Sequence, residues 1–295
     1  MVRNLSIIAC ALLFISASIS VDAQDPVNVS ANPVQREKAK VAGYDQIGEA
    51  LYEVIYEYSI QTDATDTYTT ILQFGTEQAR FLDYLAYRVD SLSFAGAPED
   101  LIAKASNDVD HSTFYFEPVV FQNWPEGSMT VDDILVPGTF TYSEDMAHEW
   151  TFGDREKEIC GYLCQEAKTS YGGREWTAWF SQDIPSNAGP WKLRGLPGLI
   201  LEAQDAEGLH HFTATSLRKA ACPIVRVQDA GRDKTQRDRF IQRRNASAGN
   251  SLKNIPPESI SSIAVFKNDN GGTIKVNGRV TVRMTNHTWI PLELE

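Results

Sequence analysis

The chain has 295 residues, 42% hydrophobic and 22% charged, a balance that buries a sizeable core and excludes disorder for its bulk. Its formal net charge of −12 argues against nucleic acid and anionic membrane surfaces as partners, because like charges repel.

Residues 1–23 read as a signal peptide. Arg3 gives a positive start, residues 7–19 form an apolar run, and Val21-Asp22-Ala23 resembles a small-residue cleavage site before Gln24. The run is shorter than the ~20 residues of a spanning helix, and no later stretch reaches that length. The expectation is an exported protein, in the periplasm or at the cell surface or beyond it, with no transmembrane segment after cleavage. Cleavage removes one Arg and one Asp, so the charge stays at −12. Residues 24–47 are polar, with Pro26, Pro33 and the run Gln35-Arg36-Glu37-Lys38, and read as a tether. Residues 48–295 read as one domain, since neither a fixed repeat nor a composition break divides them.

Within residues 51–60, Tyr52, Val54, Tyr56 and Tyr58 alternate with Glu53, Glu57 and Ser59, the period-2 pattern of a half-buried strand. A turn at Asp63-Ala64-Thr65-Asp66 leads to strands over 67–75 and 77–82. Residues 83–110 carry spacings near a helix period, with a helix start at Ala97-Pro98-Glu99-Asp100. Strand character resumes around Phe114, Phe116, Val119 and Phe121, a turn follows at Trp124-Pro125-Glu126-Gly127, and residues 130–137 show no clear pattern. Residues 139–145 read as a strand, and strands over 150–152 and 157–169 are broken at Gly153-Asp154. Gly172-Gly173 is a hairpin turn before a strand over 174–181 that carries bulky rings on both faces and so predicts cover on both.

The most patterned stretch follows. Leu196-Pro197-Gly198-Leu199 suits a type II turn, with Gly198 at the positive-φ position, and residues 199–205 form a hairpin with 209–217. His210 and His211, adjacent on that strand, must face opposite sides. Residues 224–228 read as a short strand and 233–245 as a helix whose Arg232, Lys234, Arg237, Arg239, Arg243 and Arg244 read as a solvated basic face. After a connector over 246–257 come strands over 263–266 and 273–283, then the final residues 289–295. The predicted class is a β-rich α+β fold, a curved and largely antiparallel sheet with a few short helices.

Catalytic signatures are missing. There is no Gly-x-Ser-x-Gly elbow and no phosphate loop, and His148-Glu149 lacks a second histidine four residues on. His111, His148, His210, His211 and His287 show no metal-ligand spacing, so no cofactor and no metal are expected. Cys160, Cys164 and Cys222 follow the signal segment; in an oxidising setting an odd count allows at most one bridge and leaves one thiol. Trp176, Trp179 and Trp191 mark where a curved sheet would hold an apolar pocket.

Gly195-Leu196-Pro197-Gly198-Leu199-Ile200 spells the motif of the GLPGLI family, exported proteins found mainly in Bacteroidetes. Cys164-Gln165, Ala167, Gly173-Arg174, Trp176, Ala178-Trp179, Ile184-Pro185, Gly189-Pro190-Trp191 and the ending Pro291-Leu292-Glu293-Leu294-Glu295 also resemble the family, so the likeness runs from about residue 51 to the end. The resemblance implies an exported β-rich domain and no established activity. Many relatives resemble one another in pairing the counterpart of Cys164 with a cysteine that Arg194 replaces here. That departure leaves Cys160 and Cys222 as candidate partners. On a straight strand residues four apart lie roughly 13 Å apart, so a Cys160–Cys164 bridge requires a tight bend at Gly161, and the reading leans to Cys222. The functional expectation is a non-enzymatic binding or structural protein that holds a peptide or an apolar small molecule. An envelope enzyme or metal-handling protein is the alternative.

Overall fold

The computed structural model describes residues 43–247, 255–285 and 290–295; the expected signal peptide, nearly all of the expected tether and Trp289 lie outside them. The chain is mostly β, with 52% strand and 16% helix, and its large sheet is not closed into a barrel.

Strand β1 (Tyr44–Gln61) begins within the residues read as tether and turns into β2 (Thr65–Phe74) and β3 (Ala79–Asp83). Two helices follow, α1 (Tyr84–Phe94) and α2 (Glu99–His111). Asp83 ends one element and starts the next: its Oδ1 accepts the Leu85 N–H at 2.7 Å as an N-cap, and Oδ2 accepts the Phe116 N–H at 2.9 Å. Then come β4 (Val119–Gln122), β5 (Ser128–Leu135), β6 (Gly138–Asp145), β7 (Thr151–Ile159), β8 (Tyr162–Tyr171) and β9 (Arg174–Ser181). A long loop over residues 182–198 leads to β10 (Leu199–Asp205), β11 (His210–Val227), β12 (Asp233–Lys234) and α3 (Arg237–Ser247).

These strands form one twelve-stranded sheet in the order β12-β6-β5-β4-β3-β2-β1-β11-β10-β9-β8-β7, antiparallel except where β12 joins β6. A second, three-stranded sheet holds β13 (Ile263–Asn268), β14 (Gly271–Val276) and β15 (Arg279–Thr285). It is tied to the end of α2 by a Lys275–Asp110 ion pair at 2.6 Å and by Arg283, which donates to the Val109 carbonyl at 3.0 Å.

Four elements depart from the sequence reading. Strand β7 runs through Gly153-Asp154, where the sequence reading places a break, and a register shift between Phe152 and Glu156 takes up the irregularity. Residues 128–135 form a full strand, buried along most of its length. Residues 157–169 are two strands, because Cys160 (φ 51°) and Gly161 (φ 80°) make a two-residue hairpin turn. Residues 210–227 are one strand: β11 runs through Cys222-Pro223 because the register shift between Ala50 and Tyr52 on β1 absorbs the irregularity there.

Alternation divides the sheet into two faces. Ile71, Leu82 and Tyr87 form the small apolar cluster under α1, which we call the helix face. On the opposite side Val54, Tyr56, Leu72, Phe81, Trp176, Phe180, Leu201 and Phe212 belong to the main core. That core also takes in Trp191, Leu193 and Leu196 from the long loop and Phe240 and Ile241 from α3, so we call it the loop face.

Candidate functional site

The loop over residues 182–198 lies on the sheet as a fixed plug, held mainly by hydrogen bonds to its own carbonyls. Gln122 donates to the carbonyls of Gly189 and Trp191, both at 2.8 Å, and Trp150 Nε1 donates to the Arg194 carbonyl at 2.8 Å. Tyr56 donates to the Ile200 carbonyl at 2.6 Å, where the loop re-enters the sheet. Gly198 does not have a positive φ, contrary to the sequence reading; Gly195 does, at 96°. Gly198 is required by proximity, since a Cβ there would come under 3.0 Å from backbone atoms of Ser181 and Gln182.

This plug carries Lys192 into the interior. Its side chain is 1% exposed, with Nζ 2.7 Å from Glu293 Oε1, 2.6 Å from Glu144 Oε1 and 3.1 Å from the Tyr142 hydroxyl. Burial opposes the charge, but Tyr142, Glu293, Tyr171 and Glu144 outweigh it and hold the lysine pKa well above its ordinary value. Lys192 is therefore a locked ammonium, with no lone pair to act as nucleophile or base. Glu293 is equally buried, and although burial would raise its pKa, Lys192, Arg244 and Arg237 hold it below the usual carboxylate range.

Around Glu293 the segment 290–295 is seated in a groove made by distant parts of the chain. Arg237 on α3 meets Glu293 Oε2 at 2.7 Å and the Glu295 carbonyl at 2.6 Å. Arg174 donates to the carbonyls of Pro291 at 2.7 Å and Leu292 at 3.2 Å, and itself pairs with buried Asp205 at 2.8 Å. The Leu294 N–H bonds the Gly172 carbonyl at 2.8 Å. His210 completes the wall, with Nε2 3.2 Å from the Pro291 carbonyl and Nδ1 2.8 Å from the Tyr58 hydroxyl. One neutral tautomer satisfies both contacts, with Nε2–H donating and Nδ1 accepting. Burial and the neighbouring Arg174 push the His210 pKa down to about 4, so the ring is neutral at pH 7.

The residues singled out from sequence are dispersed. Trp176 and Trp191 meet on the loop face, ring centroids 5.7 Å apart and each 1% exposed. Trp179 lies on the other side of β9, under Lys157 at 4.3 Å and Arg155 at 5.3 Å from its ring. The three do not share a pocket, because neighbours of odd and even number on one strand point apart. The expected cover on both faces of β9 is present.

The expected bridge is not: Cys160, Cys164 and Cys222 are all thiols. Cys164 sits in the loop-face core and Cys160 donates to the Ala214 carbonyl at 3.1 Å, whereas Cys222 lies 3.3 Å from Glu53 Oε1 in a separate cluster, so the lean to Cys222 is corrected. The basic face of α3 also reads differently. Arg239 and Arg243 are exposed, but Arg237 and Arg244 turn inward to carboxylates.

The helix face holds its own buried charge. Glu53 accepts from Tyr87 at 2.8 Å, Gln73 at 3.0 Å and Arg218 Nε at 2.9 Å, and Arg80 pairs with Asp90. A cavity of about 10 Å³ between Gln73, Arg80, Tyr87 and Cys222 has room for roughly one water. Among the described residues no group of three or more His, Cys, Asp or Glu could hold a metal ion, and no helix is long and apolar enough to cross a membrane.

A family model described as a protein of unknown function, Porph_ging, matches residues 168–202, from the end of β8 through β9 and the loop plug into β10. No curated protein matches the chain. Two solved structures of PNGF-II are similar at 16% and 17% identity, with TM-scores of 0.45 and 0.44, over 74% and 75% of this chain and 35% of theirs. The chain thus spans about a third of the PNGF-II chains. A LolA superfamily protein from Nitrosomonas europaea is similar at 8% identity and a TM-score of 0.23, over 62% of this chain and 87% of that one.

Proposed function

We propose that this is an exported, non-enzymatic binding or structural protein of the GLPGLI type. The observation that carries the reading is the state of Lys192: the cation best placed for chemistry is sealed between Glu144 and Glu293 under the chain's own loop. Arg174 is likewise paired with Asp205, and His210 is neutral and fully buried. Groups committed to one another in this way hold a shape and are not themselves open to a substrate as general acid, base or nucleophile. The motif at 195–200 supports the family reading in a structural sense, since Gly195 and Gly198 serve the loop's turn and its close approach to β9. The signal-like residues 1–23 support export.

Native mass spectrometry of the protein purified from its own envelope fraction tests the reading. The expected result is the bare polypeptide mass, or that mass with a peptide. A stoichiometric metal or a small organic cofactor would overturn it.

A further inference from the structure

The side-chain contacts that hold the segment 290–295 reach it across 48 to 118 residues of sequence, from β9, β11, the loop plug and α3, and the Gly172 hairpin turn adds a main-chain bond. The groove is therefore built from elements distant in sequence from the segment it holds. Its floor is cationic, with Lys192, Arg174 and Arg237 converging on one short segment. Its recognition has two parts, main-chain bonding and side-chain sites, as peptide grooves do. Main-chain groups are read by Arg174, His210, the Gly172 carbonyl and Asn245, and side chains are read by an ion-paired site for Glu293 and an apolar seat for Leu292.

We propose that this groove is a peptide-binding site for an acidic Leu-Glu-Leu-Glu segment of a partner protein, and that residues 290–295 are its resident occupant in cis. The carboxylate at the position of Glu293 is the specificity element, because it neutralises a lysine that has no route to water. Leu294, by contrast, is half exposed at 50% and contributes its backbone. The inference deepens the binding-protein reading and rests on it for the absence of turnover; it names the partner's chemistry.

The test is fluorescence anisotropy of a labelled hexapeptide with the sequence of residues 290–295, titrated with the full chain. The wild-type protein should bind it weakly, because its own segment competes at an effective concentration on the order of mM. A Glu293→Gln chain keeps its segment but lacks the carboxylate that the added peptide supplies, and should bind at least about tenfold more tightly. A peptide with Gln at the matching position should lose at least about tenfold. Leu294→Pro removes the N–H donated to Gly172, restricts the backbone on either side of it and so loosens the resident segment; it serves as the second variant and should show the same gain if Glu293→Gln does not fold. Folded variants that bind neither peptide, or both alike, overturn the proposal. A wild-type dimer that the peptide dissociates also overturns it, by making a second copy the occupant. Failed titration with a bare native mass sinks the peptide site and leaves the non-enzymatic reading standing, whereas a copurifying metal sinks that reading first.

Discussion

The helix face and the loop face of the large sheet both bury charge, and they do so under different covers. On the helix face, Glu53 is held by Arg218, Tyr87 and Gln73, and the cover is α1, which follows β3 directly in sequence. Arg218 is 24% exposed, so its far side reaches water. On the loop face, Lys192 and Glu293 are each 1% exposed and 101 residues apart, and the cover is a loop, a helix and a six-residue segment drawn from separate parts of the chain. The difference teaches that one face is covered by a helix adjacent in sequence, with a solvent outlet for Arg218. The other is covered by segments drawn from separate parts of the chain over a pair with no outlet, so its stability depends on every segment arriving.

The largest effect should come from opening the loop face at its hinge with the sheet. Gly198→Val places a side chain into the backbone of Ser181 and Gln182, and should either abolish soluble expression or lower Tm by more than about 10 °C in a thermal melt. Gly195→Val strains a positive φ where the nearest atom is 3.7 Å away, and should cost only ~1–3 kcal/mol. Equal losses for the two would return the turn to the reading that placed the positive φ at Gly198.

Next is the charge contrast. Lys192→Met leaves buried Glu144 and Glu293 with Arg237 as their shared cation and should destabilise by about 3–5 kcal/mol in urea unfolding. Glu53→Gln leaves Arg218 able to hydrate and should lose roughly half as much. If the order is reversed, the two faces do not differ in the way described.

The pH response should separate two kinds of buried group. His210 has a folded-state pKa of about 4 against an ordinary 6.5, so between those values the unfolded chain binds a proton that the folded chain refuses. Its contribution is complete above about pH 6.5 and is lost as pH falls toward 4, by at most about 1.4 kcal/mol per unit. Glu293, with its pKa lowered, acts in the same direction, losing its contribution as pH falls below 4.5. Asp83 is opposite: burial pushes it from 3.8 up to about 7, so the folded state binds the extra proton and stability falls as pH rises through that window. Tm against pH for His210→Gln should be flatter between pH 4 and 6.5. For Asp83→Asn, the loss toward neutral pH should shrink, with Asp133, which burial also pushes up to about 7, keeping the rest.

The smallest effects should fall on α3. Arg239→Ala, on the exposed side, should leave Tm within about 2 °C, while Arg237→Ala should lower it several-fold more because its guanidinium bonds Glu293 and the Glu295 carbonyl. Indistinguishable melts would mean that the inward side of α3 does not grip the segment.

Much of the strand framework was legible because period-2 patterns and turn residues act within a few positions. Tyr52 to Tyr58 announced β1, Gly172-Gly173 announced a hairpin, and Gly208 marked the turn into β11. The Cys160-Gly161 hairpin was missed because a cysteine at positive φ is not a turn signal. The division at Cys222-Pro223 failed because a bulge in β11, where Ala220 and Ala221 oppose Leu51 of β1, accommodates what looks in isolation like a break.

The groove was beyond the sequence for a related reason. Lys192 stands between Trp191 and Leu193, an apolar setting that is itself the one available signal of a buried cation. Nothing local says that its counter-charges are Glu144 and Glu293. By itself the sequence determined the β-rich class and the order of most strands, and it marked residues 195–200 as a turn without showing which glycine takes the positive φ. Only the tertiary structure decided which face the loop covers, which arginines turn inward, and that residues 290–295 complete the interior. Backbone propensity is set by neighbours in the chain, whereas neutralising a buried charge requires groups that meet only once the sheet is assembled.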